Sequence, residues 1–581
     1  MKKLLSIALA LSLCFSFVIP AYAADTISAT INDSKNVTVT GKLDAGTGNR
    51  IFISVFDGNN NILYLNQGRT TDDGNYTFFF PLPNATSGNA YTVEVSGEGI
   101  ANPLKQTFTY WEESSGGGTG GGGGGGGAPA APVTPPAIPE NIPPAAQESL
   151  QKATEKLQEL FSGTQPSNTN ADKQAAQKII ENAVKEAAKI DVSSNVTVEN
   201  GVAKLEVAVA QAAESFKQVR EIAQAANETL KAFDPDADPI RVVATLDIGT
   251  VAEDKVQVSL PKNLLDAAKN EGIDAIAVAV NGIVMEIPVN EFGQDTVLNI
   301  TKEDSSVADS VTSATRVSDV YSFEFTSSSG QQLSSFQEPI RISVPVNITG
   351  NTNPNYLAFV KIENGQIIPY GGKYNSETRT YEVTRNSFST YTVIENKVNF
   401  NDIQSVESWA GEAIRIAAAK GIINGRAPGT FVPQGNITRA EFATLLVKTF
   451  GLEGNFTEKF ADVNDGDWFQ PYVAAAAHYG IVNGRSATQF DPNALITRAE
   501  LATMSANALT KILKYKGVSN VDAALAKFKD AADIPAGLKP GVALLTQEGI
   551  VSGMTADTFA PQGHATRAQA ALIIYKLFQL I

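Results

Sequence analysis

Hydrophobic and polar positions alternate in short runs between residues 25 and 111, a period of two that is typical of β-strands. Turn-forming clusters rich in Asp, Asn and Gly, such as 57–61 and 72–75, separate these runs. About seven strands at this spacing predict an all-β, immunoglobulin-like sandwich over residues 24–112. The clearest strand runs are 37–40, 51–56, 76–78 and 91–95.

Aromatic side chains are frequent in this segment, and two interpretations are open. An exposed row of rings could stack on sugars, whereas aromatic residues in alternating strands usually fill the core of a sandwich. The core interpretation is the simpler one. The residues concerned are Tyr64, Tyr76, Phe78, Phe79, Phe80 and Tyr91.

The composition changes abruptly at residue 113. Residues 116–127 are all glycine except Thr119, and residues 128–144 contain seven prolines. Glycine runs behave as flexible coils and proline runs as stiffer spacers. A phosphate-binding loop is excluded because no Gly-Lys-Ser/Thr follows the glycines. We therefore expect residues 113–144 to be a linker.

The hydrophobic period becomes helical after this linker and returns to two from residue 240. Leu150 and Leu157 mark the first helical stretch. We expect a helical segment over 145–239, followed by one or two β-rich modules over 240–399. One short helix is expected inside the β-rich region, near Leu264 to Lys269.

The sequence from residue 400 onwards repeats itself three times. Each unit opens with Phe-x-Asp, passes through a glycine-bounded hydrophobic step, and reaches a Thr-Arg-Ala-Glu or Thr-Arg-Ala-Gln tetrad. The opening Phe and the tetrad Arg are 39, 38 and 39 residues apart in the three units. We place the units at 400–458, 459–526 and 527–581.

Each tetrad has the form of a helix capping box, in which the threonine accepts from the N3 amide and the N3 side chain accepts from the threonine amide. An amphipathic helix is expected after each tetrad and a shorter alanine-rich helix before it. Because one such pair cannot bury its own apolar stripe, the three units should share a core. The capping residues are Thr438, Glu441, Thr497, Glu500, Thr566 and Gln569.

The arginine of each tetrad occupies the first helical position, where a cation faces the positive end of the helix dipole. Three such placements suggest an anionic ligand at the helix starts, attracted by free amides and guanidinium groups. The alternative is that Arg439, Arg498 and Arg567 pair with nearby carboxylates. The candidate partners are Asp402, Asp462 and Asp530.

The composition narrows the chemistry further. The 581-residue chain carries 45 Lys+Arg against 61 Asp+Glu, a net charge of −16, which does not favour nucleic acid. Its one cysteine and two histidines exclude disulfides, cysteine metal sites and histidine clusters. We predict no metal, no cofactor and no catalytic residue.

Residues 1–23 have the features of a secretory signal peptide: Lys2 and Lys3, a short apolar run, and a small-residue cleavage site. A lipid anchor on Cys14 is the alternative, but the bulky Leu13 disfavours it. We expect no membrane span in the mature protein.

Residues 400–581 resemble three S-layer homology domains. The resemblance rests on the Phe-x-Asp openings, the Gly-Ile steps, the Phe-x-Pro sequences and the tetrads, with Trp409 and Trp468 in the first two units. The third unit departs from this pattern, because it lacks the tryptophan and has Gln569 in place of glutamate.

The resemblance implies an all-α, pseudo-threefold trimer of repeats that binds pyruvylated secondary cell-wall polysaccharide in grooves between repeats. It assigns the ketal carboxylate to Arg439, Arg498 and Arg567. Trp409 and Trp468 are expected near the grooves, and we count the three aspartates Asp402, Asp462 and Asp530 among the candidate binding residues.

We therefore expect a multidomain, secreted, non-enzymatic protein of the bacterial cell wall, either an S-layer subunit able to self-associate or an accessory surface protein. Two other functions stay open. The chain could be a wall-anchored carbohydrate-active enzyme with its catalytic module in 145–399, or a carbohydrate-binding adhesin that acts through the N-terminal sandwich.

Overall fold

The chain divides into two compact units, residues 1–126 and 127–581. The computed structural model describes residues 26–31, 36–43, 50–57, 62–71, 74–82, 89–97, 104–109, 135–161, 169–458 and 460–581. The expected signal peptide and the glycine run of the linker lie outside these residues.

The described residues of the first unit form seven strands in two antiparallel sheets, of order β1-β2-β5 and β4-β3-β6-β7. One hydrophobic core includes residues of both sheets. Tyr76, Phe78 and Tyr91 are buried in that core, as the core interpretation predicts, and the side chains of Tyr64, Phe79 and Phe80 lie outside the description. The strands are β1 Thr26–Ile31, β2 Asn36–Lys42, β3 Arg50–Phe56, β4 Ile62–Arg69, β5 Asn75–Pro81, β6 Ala90–Gly97 and β7 Leu104–Thr109.

The second unit begins with an α/β region, which we call the middle module and define as residues 135–399. Its first part is helical but also contains three short strands between residues 189 and 205, where the sequence pattern predicts helix. The elements are α1 Pro144–Phe161, α2 Asn170–Ala187, β8 Lys189–Asp191, β9 Val196–Glu199, β10 Val202–Leu205 and α3 Val209–Phe233.

The rest of the middle module is β-rich, as predicted, and includes the expected short helix as α4. Its elements are β11 Val243–Gly249, β12 Lys255–Leu260, α4 Lys262–Asn270, β13 Ala275–Val280, β14 Ile283–Pro288, β15 Thr296–Glu303, α5 Ser306–Asp309, β16 Val320–Ser327, β17 Gln332–Leu333, β18 Ile340–Pro345, β19 Leu357–Glu363, β20 Gln366–Tyr370, β21 Lys373–Asn375, β22 Thr380–Arg385 and β23 Thr390–Glu395.

Two mixed sheets organise this module. One has the order β20-β19-β23-β16-β15-β12-β10-β9, with β17 paired to β16, and the other has the order β21-β22-β18-β14-β13-β11-β8. The strands β8 and β10 come from the part expected to be helical, and each pairs in parallel with a strand of the β-rich part. Both parts therefore share one hydrophobic core.

The three repeats form the helical end of the second unit and have a core of their own. Each repeat contributes a short helix and a longer capped helix. The short helices are α6 Glu412–Ala419, α8 Gln470–His478 and α11 Lys539–Gln547; the long ones are α7 Arg439–Phe450, α9 Arg498–Ile512 and α12 Arg567–Leu580. A further helix, α10 Val521–Leu525, occupies the longer connector before the third repeat. Among the described residues, no helix combines the length and hydropathy needed to cross a membrane.

Candidate functional site at the junctions between repeats

The long helix of every repeat starts with a reciprocal capping box. The threonine hydroxyl accepts from the N3 amide at 3.2–3.3 Å, and the N3 side chain accepts from the threonine amide at 2.9–3.1 Å. The tetrad arginine is consequently the first residue of α7, α9 and α12.

The backbone amides at these helix starts are occupied by the neighbouring repeat. The Arg439 amide donates to Ala494 O, the Arg498 amide to Gly563 O, and the Arg567 amide to Gly435 O, at 2.8–3.0 Å. The alanine that follows each arginine donates to a carbonyl in the same neighbouring loop. The expectation of free amides that attract an anion is therefore wrong, because neighbouring carbonyls and the cap already take these donors.

The arginine side chains also reach into the neighbouring repeat. Each Nε donates to the carbonyl of a phenylalanine at 2.8–2.9 Å, and each guanidinium lies over the ring of that same phenylalanine, 4.6–4.9 Å from its centroid. A second nitrogen donates to the carbonyl that precedes the closing glycine of the Gly-Ile step. The pairs are Arg439 with Phe490, Arg498 with Phe559 and Arg567 with Phe431.

These contacts connect the repeats in a cycle: the first to the second, the second to the third, and the third back to the first. We call them the 1–2 junction (Arg439), the 2–3 junction (Arg498) and the 3–1 junction (Arg567). Short backbone bridges at Thr438–Leu495, Thr497–His564 and Asn436–Thr566 follow the same cycle.

The three aspartates hold the same phenylalanine loops from within their own repeats. Each carboxylate accepts from the amides of the phenylalanine and of the next residue, at 2.7–2.8 Å. That next residue has a positive φ of 59–64°, which is unfavourable for a residue with a side chain. Asp402, Asp462 and Asp530 thus stabilise strained turns, and none of them forms an ion pair with a tetrad arginine among the described residues.

The three junctions differ in charge and exposure. In the 1–2 junction, Arg439 is 4% exposed and its Nη1 lies 3.0 Å from Glu500 Oε1, a carboxylate that also pairs with Arg485. In the 3–1 junction, Arg567 is 5% exposed, and burial together with the nearby Arg426 lowers its pKa to about 10.

The 2–3 junction is the exception. Arg498 is partly exposed. Like Arg567, it has no described carboxylate within 4 Å of its guanidinium, but Glu441 of the neighbouring repeat acts on the charge of Arg567, whereas no glutamate of the third repeat faces Arg498. The reason is a paired difference in the third repeat: Met554 stands where the other repeats have Arg426 and Arg485, and Gln569 stands where they have Glu441 and Glu500. The Gln569 amide lies 3.3 Å from the Met554 sulfur, in place of an ion pair.

The two tryptophans lie on the surface of the repeats. Trp409 is 43% exposed in a π-helical turn, Glu407–Gly411, and Trp468 is 60% exposed next to Phe469. Within the described part of the chain, neither indole lies over a tetrad arginine.

Sequence reasoning missed the residues that complete each junction. The phenylalanine of the Phe-x-Pro sequence provides both a carbonyl and a ring to the arginine, and the residue before the closing glycine provides a second carbonyl. Their recurrence at Phe431, Phe490 and Phe559 was the available signal. In the described ranges, no group of three or more His, Cys, Asp and Glu side chains could hold a metal ion.

A family model for the S-layer homology domain matches residues 399–443, 459–502 and 527–571. The chain therefore carries three S-layer homology domains, one in each repeat. It is a secreted surface protein associated with the bacterial cell wall.

Similar proteins include both enzymes and surface-layer proteins. An amylopullulanase of Thermoanaerobacterium thermosulfurigenes is 28% identical over 339 residues, 57% of this chain and 18% of the relative. Exoglucanase XynX of Acetivibrio thermocellus is 35% identical over 188 residues, 32% of this chain and 17% of the relative. The S-layer protein sap of Bacillus anthracis is 31% identical over 179 residues, 30% of this chain and 21% of the relative. The chain thus spans about a fifth of the length of these relatives.

Among solved structures, a β-glucuronidase of Parabacteroides merdae matches 45% of this chain and 33% of its own, with 9% identity and a TM-score of 0.13. This score is too low to carry an argument about fold or function.

Proposed function

We propose that the three repeats attach the protein non-covalently to an anionic secondary cell-wall polysaccharide, and that the rest of the chain is displayed on the cell surface as an S-layer or accessory protein. The cycle of three arginine junctions is the observation that carries this proposal. It supports a pseudo-threefold arrangement with one potential groove per junction. The seven strands of the first unit, in sheets of three and four, support its immunoglobulin-like class.

We infer that the 2–3 junction is the main contact for the acidic group of the polysaccharide, a pyruvyl carboxylate. Arg498 is the most accessible of the three tetrad arginines, and no described carboxylate forms an ion pair with it within 4 Å; Asp530 acts on its charge only from a longer distance. Glu500 already neutralises Arg439. Arg567 is buried against backbone carbonyls, so its role is chiefly to hold the third repeat against the first.

Sedimentation of the full chain with purified wall sacculi tests this assignment. Arg498→Gln should weaken co-sedimentation roughly tenfold or more, since a charge-assisted hydrogen bond to a carboxylate is lost. Arg379→Gln, an exposed arginine of the middle module, is the matched control. Removal of pyruvate from the sacculi should reduce binding of the unaltered protein to the level of the Arg498 variant.

Two outcomes would contradict it. Undiminished binding of a folded Arg498→Gln variant would exclude this arginine as the main contact. Undiminished binding to sacculi stripped of their polysaccharide would exclude the whole proposal.

A wall-anchored glycoside hydrolase is the second candidate, because the relatives include an amylopullulanase and an exoglucanase. Those relatives are matched over less than a fifth of their length, which favours a shared anchor over a shared catalytic module. In the middle module the buried Glu286 is surrounded by Lys185, Arg241 and Arg341, which hold its pKa at about 2 against the effect of burial, so it is not suited to act as a general acid. Release of reducing sugar from starch, xylan or cellulose by the purified chain would favour the enzyme.

A further inference from the structure

The three long helices end on the side of the repeats opposite to the arginine junctions, and these ends face the middle module. A cavity of about 500 Å³ lies between them. Its walls come from α2 and the β20–β22 region on one side, and from the C-terminal ends of α7, α9 and α12 on the other.

The middle module provides hydrogen-bond donors to two of these helix ends. Gln174 of α2 donates its side-chain amide to the carbonyl of Leu513, the C-cap of α9. Lys373 of β21 donates to Gln579 O at 3.2 Å and to Ile581 O at 3.0 Å, at the end of α12. The last carbonyls of a helix lack partners within the helix. The side chains of Gln174 and Lys373 therefore supply hydrogen-bond donors to carbonyls at the ends of α9 and α12.

The N-terminal end of α2 makes a second contact with the repeats. The Asn170 side chain accepts from the Lys516 amide at 2.8 Å and donates to Glu548 Oε1 at 2.8 Å. A single residue of the middle module therefore contacts both the connector after α9 and the short helix region of the third repeat.

The first repeat is joined to the module by a buried lysine. Lys420, at the end of α6, donates to the Tyr381 hydroxyl at 2.9 Å and to the Leu357 carbonyl, and its own carbonyl accepts from the Gly371 amide at 2.9 Å. Next to it, the Asn396 side chain donates to Ala419 O at 2.7 Å.

An ion pair continues this contact. Arg385 of β22, only 4% exposed, lies 3.1 Å from Glu453, which follows α7. The middle module thus contacts all three repeats.

The cations around the cavity have a structural role. Lys373 and Lys448 donate to backbone carbonyls at or beside helix ends, where the helix dipole is negative. The arrangement explains the positive charge without an anionic ligand, and it favours an interface between modules.

We propose that the middle module is the structural base of the wall anchor, so that the anchoring unit is residues 135–581 and not the repeats alone. By fixing the C-terminal ends of α7, α9 and α12, the base sets the relative positions of the three junctions about 20 Å away along the helices. The 339 residues shared with the amylopullulanase exceed the 182 residues of 400–581, so that similarity extends beyond the repeats.

A cleavage experiment tests this inference without any wall component. A protease recognition sequence is inserted after Asn399, between the module and the first repeat, in the full chain. After cleavage, confirmed on a denaturing gel, the two pieces should elute as one peak in native size-exclusion chromatography. Separation of the pieces in native buffer would overturn the proposal.

Substitutions in the middle module test which hydrogen bonds hold the interface together. Lys373→Met combined with Gln174→Leu should raise the dissociation constant of the cleaved pieces about tenfold, because donors to two helix ends are lost. Lys217→Met, at an exposed position of α3, is the control and should leave it unchanged. Equal dissociation constants for the double variant and the control would contradict the capping role.

Discussion

Lys420 is a fully buried lysine whose ammonium group donates hydrogen bonds to a carbonyl oxygen and a phenol, not to a carboxylate. Burial, with a smaller effect of the nearby Lys373, lowers the pKa of its ammonium group to about 7. An unfolded lysine has a pKa above 10. At a pH between these two pKa values, the Lys420 side chain therefore takes up a proton when the chain unfolds.

Proton uptake on unfolding means that stability rises with pH over this range, by up to about 1.4 kcal/mol per pH unit from this one group. We expect the free energy of unfolding of the second unit to increase from pH 7 to pH 9, and Lys420→Met to reduce this increase. Denaturant unfolding at the two pH values measures the effect. Lys217→Met is the control, and an increase of the same size in both variants would exclude Lys420 as the source.

The tetrads illustrate which residue roles follow from sequence. Capping is local: the threonine and the residue three positions later determine it, and both are visible in the sequence. The partners of the arginines are 44–143 residues away in the chain, so the sequence left two interpretations open. In the structure most of the partners are carbonyl oxygens, which every residue type possesses; Arg439 also pairs with a carboxylate, that of Glu500, and the anionic ligand stays a prediction.

The third repeat differs from the other two repeats at two positions whose side chains contact each other. Met554 and Gln569 replace an arginine and a glutamate that pair with each other in the first and second repeats. Removing only the arginine would leave an unpaired carboxylate beside the helix start, whereas removing both keeps the site neutral.

Restoring this pair with Met554→Arg and Gln569→Glu should reduce wall binding. The introduced carboxylate would neutralise Arg498 as Glu500 neutralises Arg439. Arg498 itself is unchanged in this double variant. We expect a loss of affinity for sacculi comparable to that of Arg498→Gln, with a melting temperature at or above that of the unaltered chain. Binding equal to that of the unaltered protein would contradict the assignment of the polysaccharide to the 2–3 junction.

The short strands at 189–205 show where the periodicity argument failed. Asn200 and Gly201 adopt positive φ values of 52° and 74° and connect β9 to β10, as an Asn-Gly pair does in a tight hairpin. This signal is present in the sequence, but the helical stretches on both sides dominate a longer window. The parallel pairing of β10 with β12 is non-local and has no such signal.

For binding of the whole protein to an anionic polymer, the distribution of charge along the chain matters more than the net charge. Residues 400–581 carry 16 Lys+Arg and 16 Asp+Glu, whereas the chain outside them and outside the expected signal peptide carries 27 against 45. An anionic polymer would therefore be repelled by residues 24–399, the middle module included, and not by the repeats.

This distribution predicts an unusual dependence on salt. Raising the ionic strength from about 20 to about 150 mM screens the long-range repulsion more than the partly buried arginine contacts. We expect co-sedimentation with sacculi to stay constant or to strengthen over this range. A steep weakening, as for a basic protein on a polyanion, would show that exposed cations dominate binding.

The modular order along the chain was predictable, since changes in hydrophobic period and composition mark it. The union of the middle module with the repeats was not. This union depends on Gln174, Lys373 and Lys420, which have no distinguishing feature in the sequence. Each of them makes a contact between the middle module and the repeats that exists only in the folded chain.

The closed cycle of junctions also limits how such a domain can evolve. In an open solenoid, each end offers a surface on which another copy can stack, so the number of units can drift. Here Arg567 of the third unit returns to Phe431 of the first, so each of the three described tetrad arginines already contacts the ring of a neighbouring unit. Duplicating or deleting one unit would require the cycle to close again with different angles between the units, which favours a constant number of units in this architecture.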